Sequence, residues 1–199
     1  MKLVIFDFDG VLVDTLLMCY EITKEANEGM SMETFRSVSS YNIPDFFKNN
    51  SNIKYHPHFY ERYETETREL KIPDSIKNLI KDLSHGYKLA IVTSTPSRLV
   101  LKILQQAEVD QYFSDILGRD IHTSKVTKNK MLLEKYKISV AEAVYVTDTT
   151  GDIKEARECN ISSIAVTWGF HEEKTLKKAN PAKVVNTPSE LISAIKELL

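Results

Sequence analysis

Asp7 and Asp9 stand two residues apart at the end of an apolar run, Leu3-Val4-Ile5-Phe6, and Gly10 follows them. A strand alternates its side chains, so this spacing puts both carboxylates on one side of the chain. Crowded carboxylates repel, and each resists ionising beside the other unless positive charge sits between them. A hard cation such as Mg2+ answers that need, because it takes oxygen ligands and keeps waters that a phosphate can replace. An ordinary turn after a strand uses the same residue types, so Asp-x-Asp-Gly alone does not decide the matter.

Other strand ends carry matching chemistry. Thr93 and Ser94 follow the apolar run Lys88–Val92, and Asp148, Thr149, Thr150, Gly151 and Asp152 follow Ala143–Thr147. Lys125 lies between these two groups, at the start of a helix-period stretch. A carboxylate pair, a hydroxyl, a lysine and a second carboxylate pair on one sheet edge suit phosphoryl transfer. The hydroxyl and the lysine hold phosphate oxygens while a metal neutralises the remaining charge. Each residue also has a plainer reading. Thr93 alone is a strand-end hydroxyl bonded to backbone. Lys125 alone is a solvated lysine, with Lys128 and Lys130 as rivals, and Asp152 alone is an acid favouring a helix N-terminus. Their joint occurrence at successive strand ends is what favours the catalytic reading.

The elements that must position these residues are short apolar runs alternating with amphipathic stretches. Strands are expected at Lys2–Phe6, Lys88–Val92, Ala143–Thr147, Ser163–Thr167 and Lys183–Asn186. Helices are expected at Ser75–Ser84, Ser97–Ala107, Val126–Tyr136, Gly151–Cys159 and Ser189–Leu198, the first capped by Asp74 or Ser75 after Pro73. This alternation predicts an α/β fold, a doubly wound parallel sheet whose chemistry lies at the carboxyl ends of its strands. From Thr15 to Lys71 the pattern is helical throughout, clearest at Leu16–Asn27 and His58–Leu70. A small α-helical insertion over residues 15–72, placed after the first strand, is therefore expected, with residues 1–14 and 73–199 forming the core.

Bulk properties narrow the partners. Of 199 residues, 42% are hydrophobic and 27% charged, and the formal net charge is -2. That composition suits a soluble globular protein and points to neither nucleic acid nor a membrane surface. Cys19 and Cys159 have no metal-like spacing, and a cytoplasmic location is expected. His56 and His58 lack partners at metal spacing, Arg36, Lys48 and Arg98 read as surface charges, and Trp168 reads as packing at the sheet end.

Asp7-Phe-Asp9-Gly10-Val11, Ile91-Val-Thr93-Ser94, Lys125 and Val146-Thr-Asp148-Thr-Thr-Gly-Asp152 together resemble the four motifs of the haloacid dehalogenase superfamily. The likeness covers nearly the whole chain. Pro73–Pro96 and the stretch from Val166 to Leu191 resemble phosphoglycolate phosphatase-like members, and the insertion resembles their helical cap. The family often has glycine before the lysine and proline after it, where this chain has Ser124 and Val126. The resemblance implies a Rossmann-like core and a Mg2+-dependent phosphatase, monomeric or homodimeric, acting on a small phosphorylated metabolite. Phosphoglycolate is the first guess for substrate.

By the same resemblance Asp7 is the nucleophile that forms an aspartyl-phosphate, and Asp9 is the general acid and then the base. Thr93, Ser94 and Lys125 hold the phosphoryl group, and Asp7, Asp9 and Asp148 form the metal site, with Asp152 either a further ligand or a partner behind the ligands. A phosphomutase of the β-phosphoglucomutase type would use the same residues, with water better excluded. A non-catalytic binding member is the further alternative. A dehalogenase is disfavoured, since that reaction needs neither a second acid nor a metal.

Overall fold

A computed structural model describes residues 2–199. In chain order the strands are β1 (Leu3–Phe6), β2 (Lys88–Val92), β3 (Phe113–Leu117), β4 (Ala143–Thr147), β5 (Ser162–Val166) and β6 (Lys183–Val185). The helices are α1 (Leu16–Glu25), α2 (Met32–Val38), α3 (Ile43–Asn49), α4 (Phe59–Glu66), α5 (Asp74–Ser84), α6 (Ser97–Gln106), α7 (Lys125–Tyr136), α8 (Thr150–Glu158), α9 (Glu173–Lys178) and α10 (Pro188–Leu198). All the strands pair in parallel, in the order β3-β2-β1-β4-β5-β6.

The central strands are apolar on both sides because helices cover both faces. Alternation sorts their side chains between two layers. Val4 and Phe6 of β1 join Leu89 and Ile91 of β2 and Val144 and Val146 of β4 on one face. Leu3 and Ile5 join Ala90, Val92 and Tyr145 on the other, against Leu132 of α7 and Ala156 of α8. Leu3 to Phe6 are fully buried, so truncating Ile5 to alanine should cost about 2–5 kcal/mol. The chain runs outward from β1 to β2 and β3, then jumps back to β4 on the other side of β1. That reversal leaves a crevice beyond the carboxyl ends of β1 and β4, where such sheets place their ligands.

Two core elements escape the sequence pattern. The strand β3 reads Phe-Ser-Asp-Ile-Leu and is a partly exposed edge strand, paired through a register shift near Leu89. Its Asp115 is bonded by Lys135 and Tyr136 of α7, so a polar residue interrupts what a buried strand would show as an apolar run. The helix α9 has six residues, too few for a helical period to stand out. One expected cap is corrected. Pro73, in extended backbone, takes the N-cap position of α5, and no side chain caps the helix. Asp74 lies in the first turn instead, facing the helix dipole and Lys77 at 3.4 Å.

Between β1 and α5 the described residues hold α1 to α4 and a short 3-10 turn at Thr67–Glu69, with no strand beyond an isolated bridge from Asp9 to Val13. The shorter pair, α2 and α3, are capped by the side chains of Ser31 and Asn42, which accept from Thr34 N and Asp45 N. No helix among the described residues is long and apolar enough to cross a membrane.

Candidate active site

After Phe6 the chain keeps one further rung of pairing, Asp7 N to Val146 O at 2.9 Å, and then turns. Gly10 makes the turn at φ +75°, where a Cβ would also strike Asp148 and Phe170. Phe8 O collects the amides of Val11, Leu12 and Val13 inside this loop. The result holds Asp7 and Asp9 on the wall of one cavity with Thr93, Ser94, Lys125 and Asp152. Asp148, at the end of β4, lies buried behind it and accepts the amide of Phe170 at 2.6 Å.

Lys125 reaches this point because Ser124 caps α7, accepting from Thr127 N at 3.2 Å, and Glu155 accepts Lys125 N at 3.0 Å. The first residue of the helix is thereby aimed back at the sheet. Its ammonium sits 2.9 Å from Asp7 Oδ1 and 2.7 Å from Asp152 Oδ2. Thr147 donates to the same Asp152 oxygen at 2.8 Å. Lys128, one turn on, is fully buried and donates to Thr93 O at 2.5 Å. Burial first, and the neighbouring Lys125 second, hold Lys128 down to about 8. Lys130 is exposed.

The electrostatics are unbalanced toward negative charge. Burial pushes Asp7 well above the usual carboxylate range, with Lys125 pulling against it and Asp152 and Asp148 adding to the rise. Burial also pushes Asp148 up, to about 7. Asp152 lies below the usual range, because Lys125 and its hydrogen bonds outweigh the cost of burial. Burial works against the Lys125 charge too, yet Asp152 and Asp7 together hold it above its ordinary value. One ammonium thus serves Asp152 fully and Asp7 incompletely, and Asp148 has neither ammonium nor hydroxyl.

Mg2+ fits this deficit. Asp148 Oδ1 is buried and has no hydrogen-bond partner, while Asp7 Oδ1 accepts Phe8 N and Lys125, leaving Oδ2 without a donor among the described residues. No group of three carboxylate, imidazole or thiol side chains among the described residues is placed to hold an ion by itself. Asp152, committed to Lys125 and Thr147, is placed to position the lysine.

Three residues at the site were not singled out in the sequence. Asp9 Oδ1 accepts the hydroxyls of Thr15 and Tyr63, each at 2.8 Å, and Oδ2 accepts Thr95 at 2.6 Å. Thr15 opens the inserted segment, Tyr63 lies on α4 and Thr95 follows β2, so one carboxylate ties three parts of the fold together. Thr95 could have been noticed as a second hydroxyl two residues beyond Thr93, since Thr93 Oγ1 also accepts Thr95 N. Nothing local marks Tyr63.

The inserted helices dock over the crevice by hydrogen bonds to α8. Gly151 N donates to Ser39 O at 3.2 Å, Lys154 to Ser40 O at 3.0 Å, and Asn42 to Glu155 at 3.1 Å. The buried His171 accepts Thr150 N and bonds Arg36 O, and Arg36 itself pairs with Glu172 at 2.8 Å. Arg98 pairs with Glu64 of α4, also across this boundary. His56 and His58 lie beside Glu25 and Glu61, and Trp168 donates to Val11 O behind the Asp9 loop. At Gly151 an added Cβ would come within 2.8 Å of Ser39 O and 2.9 Å of Tyr41 O. Alanine favours a helix over glycine by about 1 kcal/mol. Gly151→Ala should therefore keep the melting temperature while lifting the docked segment. A loss of about 10- to 100-fold in kcat/KM is the expected result, measured by phosphate release; unchanged kinetics would mean that the contact carries no function.

A parallel sheet with charged groups at its switch point and helices closed over them defines a capped α/β enzyme. The chain belongs to the haloacid dehalogenase-like hydrolases, whose family model matches residues 4–166. A "Phosphoglycolate phosphatase" of Vibrio parahaemolyticus is 25% identical, the match covering 98% of this chain and 96% of that protein. A "Probable phosphatase IndB" of Dickeya dadantii is 30% identical over 99% of this chain and 94% of its own length. The crystal structure of "a predicted phosphatase" from Clostridium acetobutylicum superposes with a TM-score of 0.80 at 24% identity, covering 98% of each chain. With phosphatases as its relatives along nearly its full length, the chain is a phosphatase of that family.

Proposed function

We propose that this enzyme is a Mg2+-dependent phosphatase that hydrolyses a small phosphate monoester through an aspartyl-phosphate on Asp7. The observation that carries the reading is the Lys125 ammonium held between Asp7 and Asp152, in a cavity also lined by Asp9, Thr93 and Ser94. Asp7 Oδ2, free of donors, attacks phosphorus opposite the leaving oxygen. That oxygen departs with a proton from Asp9. Asp9 then takes a proton from water as the water attacks phosphorus, which frees phosphate and restores Asp7. Thr93, Ser94 and Lys125 hold the phosphoryl oxygens through both steps. Asp7 and Asp148, with the Asp9 backbone carbonyl, would hold Mg2+, which would supply positive charge to offset the charge gathered on those oxygens. Asp152 keeps Lys125 in place, and the helices of residues 15–72 act as a cap that shields the acyl phosphate from stray water.

Chelation tests this directly. EDTA should lower phosphate release on the order of 10²-fold or more, and added Mg2+ should restore it, since metal stabilisation of the transition state is worth several kcal/mol. Asp148→Ala should raise the Mg2+ concentration needed by roughly 10-fold or more. Hydrolysis indifferent to EDTA would remove the metal from the proposal.

A further inference from the structure

Beyond Asp9, on the side away from Lys125, lies a second cavity of about 90 Å3. It shares Asp9, Ser39, Ile43, Ser94 and Phe170 with the phosphoryl cavity, so the two adjoin along one wall. A substrate with its phosphoryl group at Asp7 Oδ2, beside Lys125, would turn its leaving oxygen toward Asp9 and the rest of its alcohol toward this space.

The wall of that space is aromatic. Nine of the chain's seventeen phenylalanines and tyrosines fall between residues 15 and 72, under a third of its length. Phe47, Tyr55, Phe59, Tyr60 and Tyr63 follow one another with ring centroids 5.2–6.3 Å apart, and all five line the cavity together with Val38. A small helical unit needs an apolar core, but a core alone would close on itself, whereas these rings border open space. The tyrosine and threonine hydroxyls on this wall are already engaged, which leaves those of Ser39 and Ser94 at the edge shared with the phosphoryl cavity. Tyr60 donates to Ser94 O at 2.7 Å, Tyr63 and Thr95 donate to Asp9, and Thr23 donates to Cys19 O.

Cations are missing from the wall. No lysine or arginine lines the cavity, and His56, which does, faces Glu25 at 3.3 Å. The arginines nearby are spoken for: Arg62 by Glu25, Arg98 by Glu64 and Arg36 by Glu172. Arg119 stacks on the rings of Tyr60 and Tyr55 and donates to the Tyr55 hydroxyl. A carboxylate on the leaving group would lose its water here and gain no counter-charge, a heavy cost. A polyol would find few free hydrogen-bonding groups.

We infer that this enzyme takes phosphate monoesters of uncharged, largely apolar alcohols, aryl or ring-bearing ones above all, and discriminates against a carboxylate-bearing leaving group such as glycolate. The inference rests on the phosphatase reading and sharpens its substrate class. Ring stacking and apolar burial supply the preference, while the phosphoryl site supplies the common anchor.

Phosphonates separate the two ideas, because they bind without turning over. With Mg2+ present, calorimetry on the full chain would compare methylphosphonate, benzylphosphonate and 3-phosphonopropionate. The last two mimic phenyl phosphate and phosphoglycolate. Benzylphosphonate should bind at least about 10-fold more tightly than 3-phosphonopropionate. Phe47→Ser, at a half-buried ring on the wall, should narrow that ratio by about 5-fold, and Val38→Arg should turn the preference toward the carboxylate. If methylphosphonate binds but benzylphosphonate binds no better than 3-phosphonopropionate, the apolar-pocket inference is overturned and the phosphatase reading stands. If no phosphonate binds, methylphosphonate included, the phosphoryl site itself fails and takes this inference with it.

Discussion

Asp7→Asn should abolish turnover, lowering kcat on the order of 10⁴-fold or more, and should leave the protein as stable as before or more so. Both halves follow from the surroundings of Asp7. An amide has nearly the same shape but is a poor nucleophile, and loss of a nucleophile that acts with its neighbours removes most of the catalytic advantage. The stability half is less intuitive. Asp7 is buried, and burial, Asp152 and Asp148 all oppose its charge while Lys125 and the Phe8 amide favour it. Replacing it with a neutral group removes that conflict and leaves Lys125 still paired with Asp152 at 2.7 Å. The variant should therefore melt at or above the wild-type temperature in the absence of Mg2+, and the gap should narrow as Mg2+ is added to the wild type. Residual activity within 10-fold of wild type would rule out the covalent route. A variant that fails to fold would show that the carboxylate is needed for structure.

What could be read from the sequence is what chain neighbours determine. The buried strands announce themselves because both faces must be apolar, and the site residues follow them at short fixed distances: Asp7 after β1, Thr93 after β2, Asp148 after β4. The position of Lys125 is legible for a similar reason, since Ser124 caps the helix that aims it. The edge strand β3 is hidden by Ser114, which accepts from Lys88 of β2, and by Asp115, which meets Lys135 and Tyr136 of α7. The helices α2 and α3 each have seven residues and a single fully apolar side, so their ends are set by Ser31 and Asn42 more than by any period. The bonds that seat Asp9 join residues 9, 15, 63 and 95 and exist only once the helices have docked. The division of labour between Asp148 and Asp152 is of the same kind. Both are acids near the start of α8, and only the three-dimensional position of Lys125 separates them.

Asp9→Asn should cost on the order of 10²–10⁴ in kcat/KM, and the size of the loss should depend on the leaving group. Asp9 must donate a proton to the departing oxygen and later accept one from water. Asparagine keeps the shape and the backbone carbonyl, and its amide can still meet the hydroxyls of Thr15, Tyr63 and Thr95, so the docked arrangement should survive. What it cannot do is shuttle the proton. For a leaving group that departs readily as an anion the first step needs little help, and the variant should instead stall at the second. The aspartyl-phosphate would then accumulate on Asp7 and appear as a burst of alcohol release before a slow steady state. For a simple alkyl phosphate the first step itself should fail, with no burst. The slope of log kcat/KM against leaving-group pKa should therefore be steeper in Asp9→Asn than in the wild type. Tyr63→Phe provides the companion measurement: it removes one of the three hydroxyls holding Asp9 but keeps the acid, so it should shift rates by far less and leave the slope near that of the wild type. In the wild type, oxygen from labelled water should appear in the released phosphate. Equal slopes in wild type and Asp9→Asn would show that the leaving oxygen takes its proton from elsewhere. Phosphate that moves between hydroxyls of one substrate with little water incorporation would mark a mutase that uses the same two aspartates.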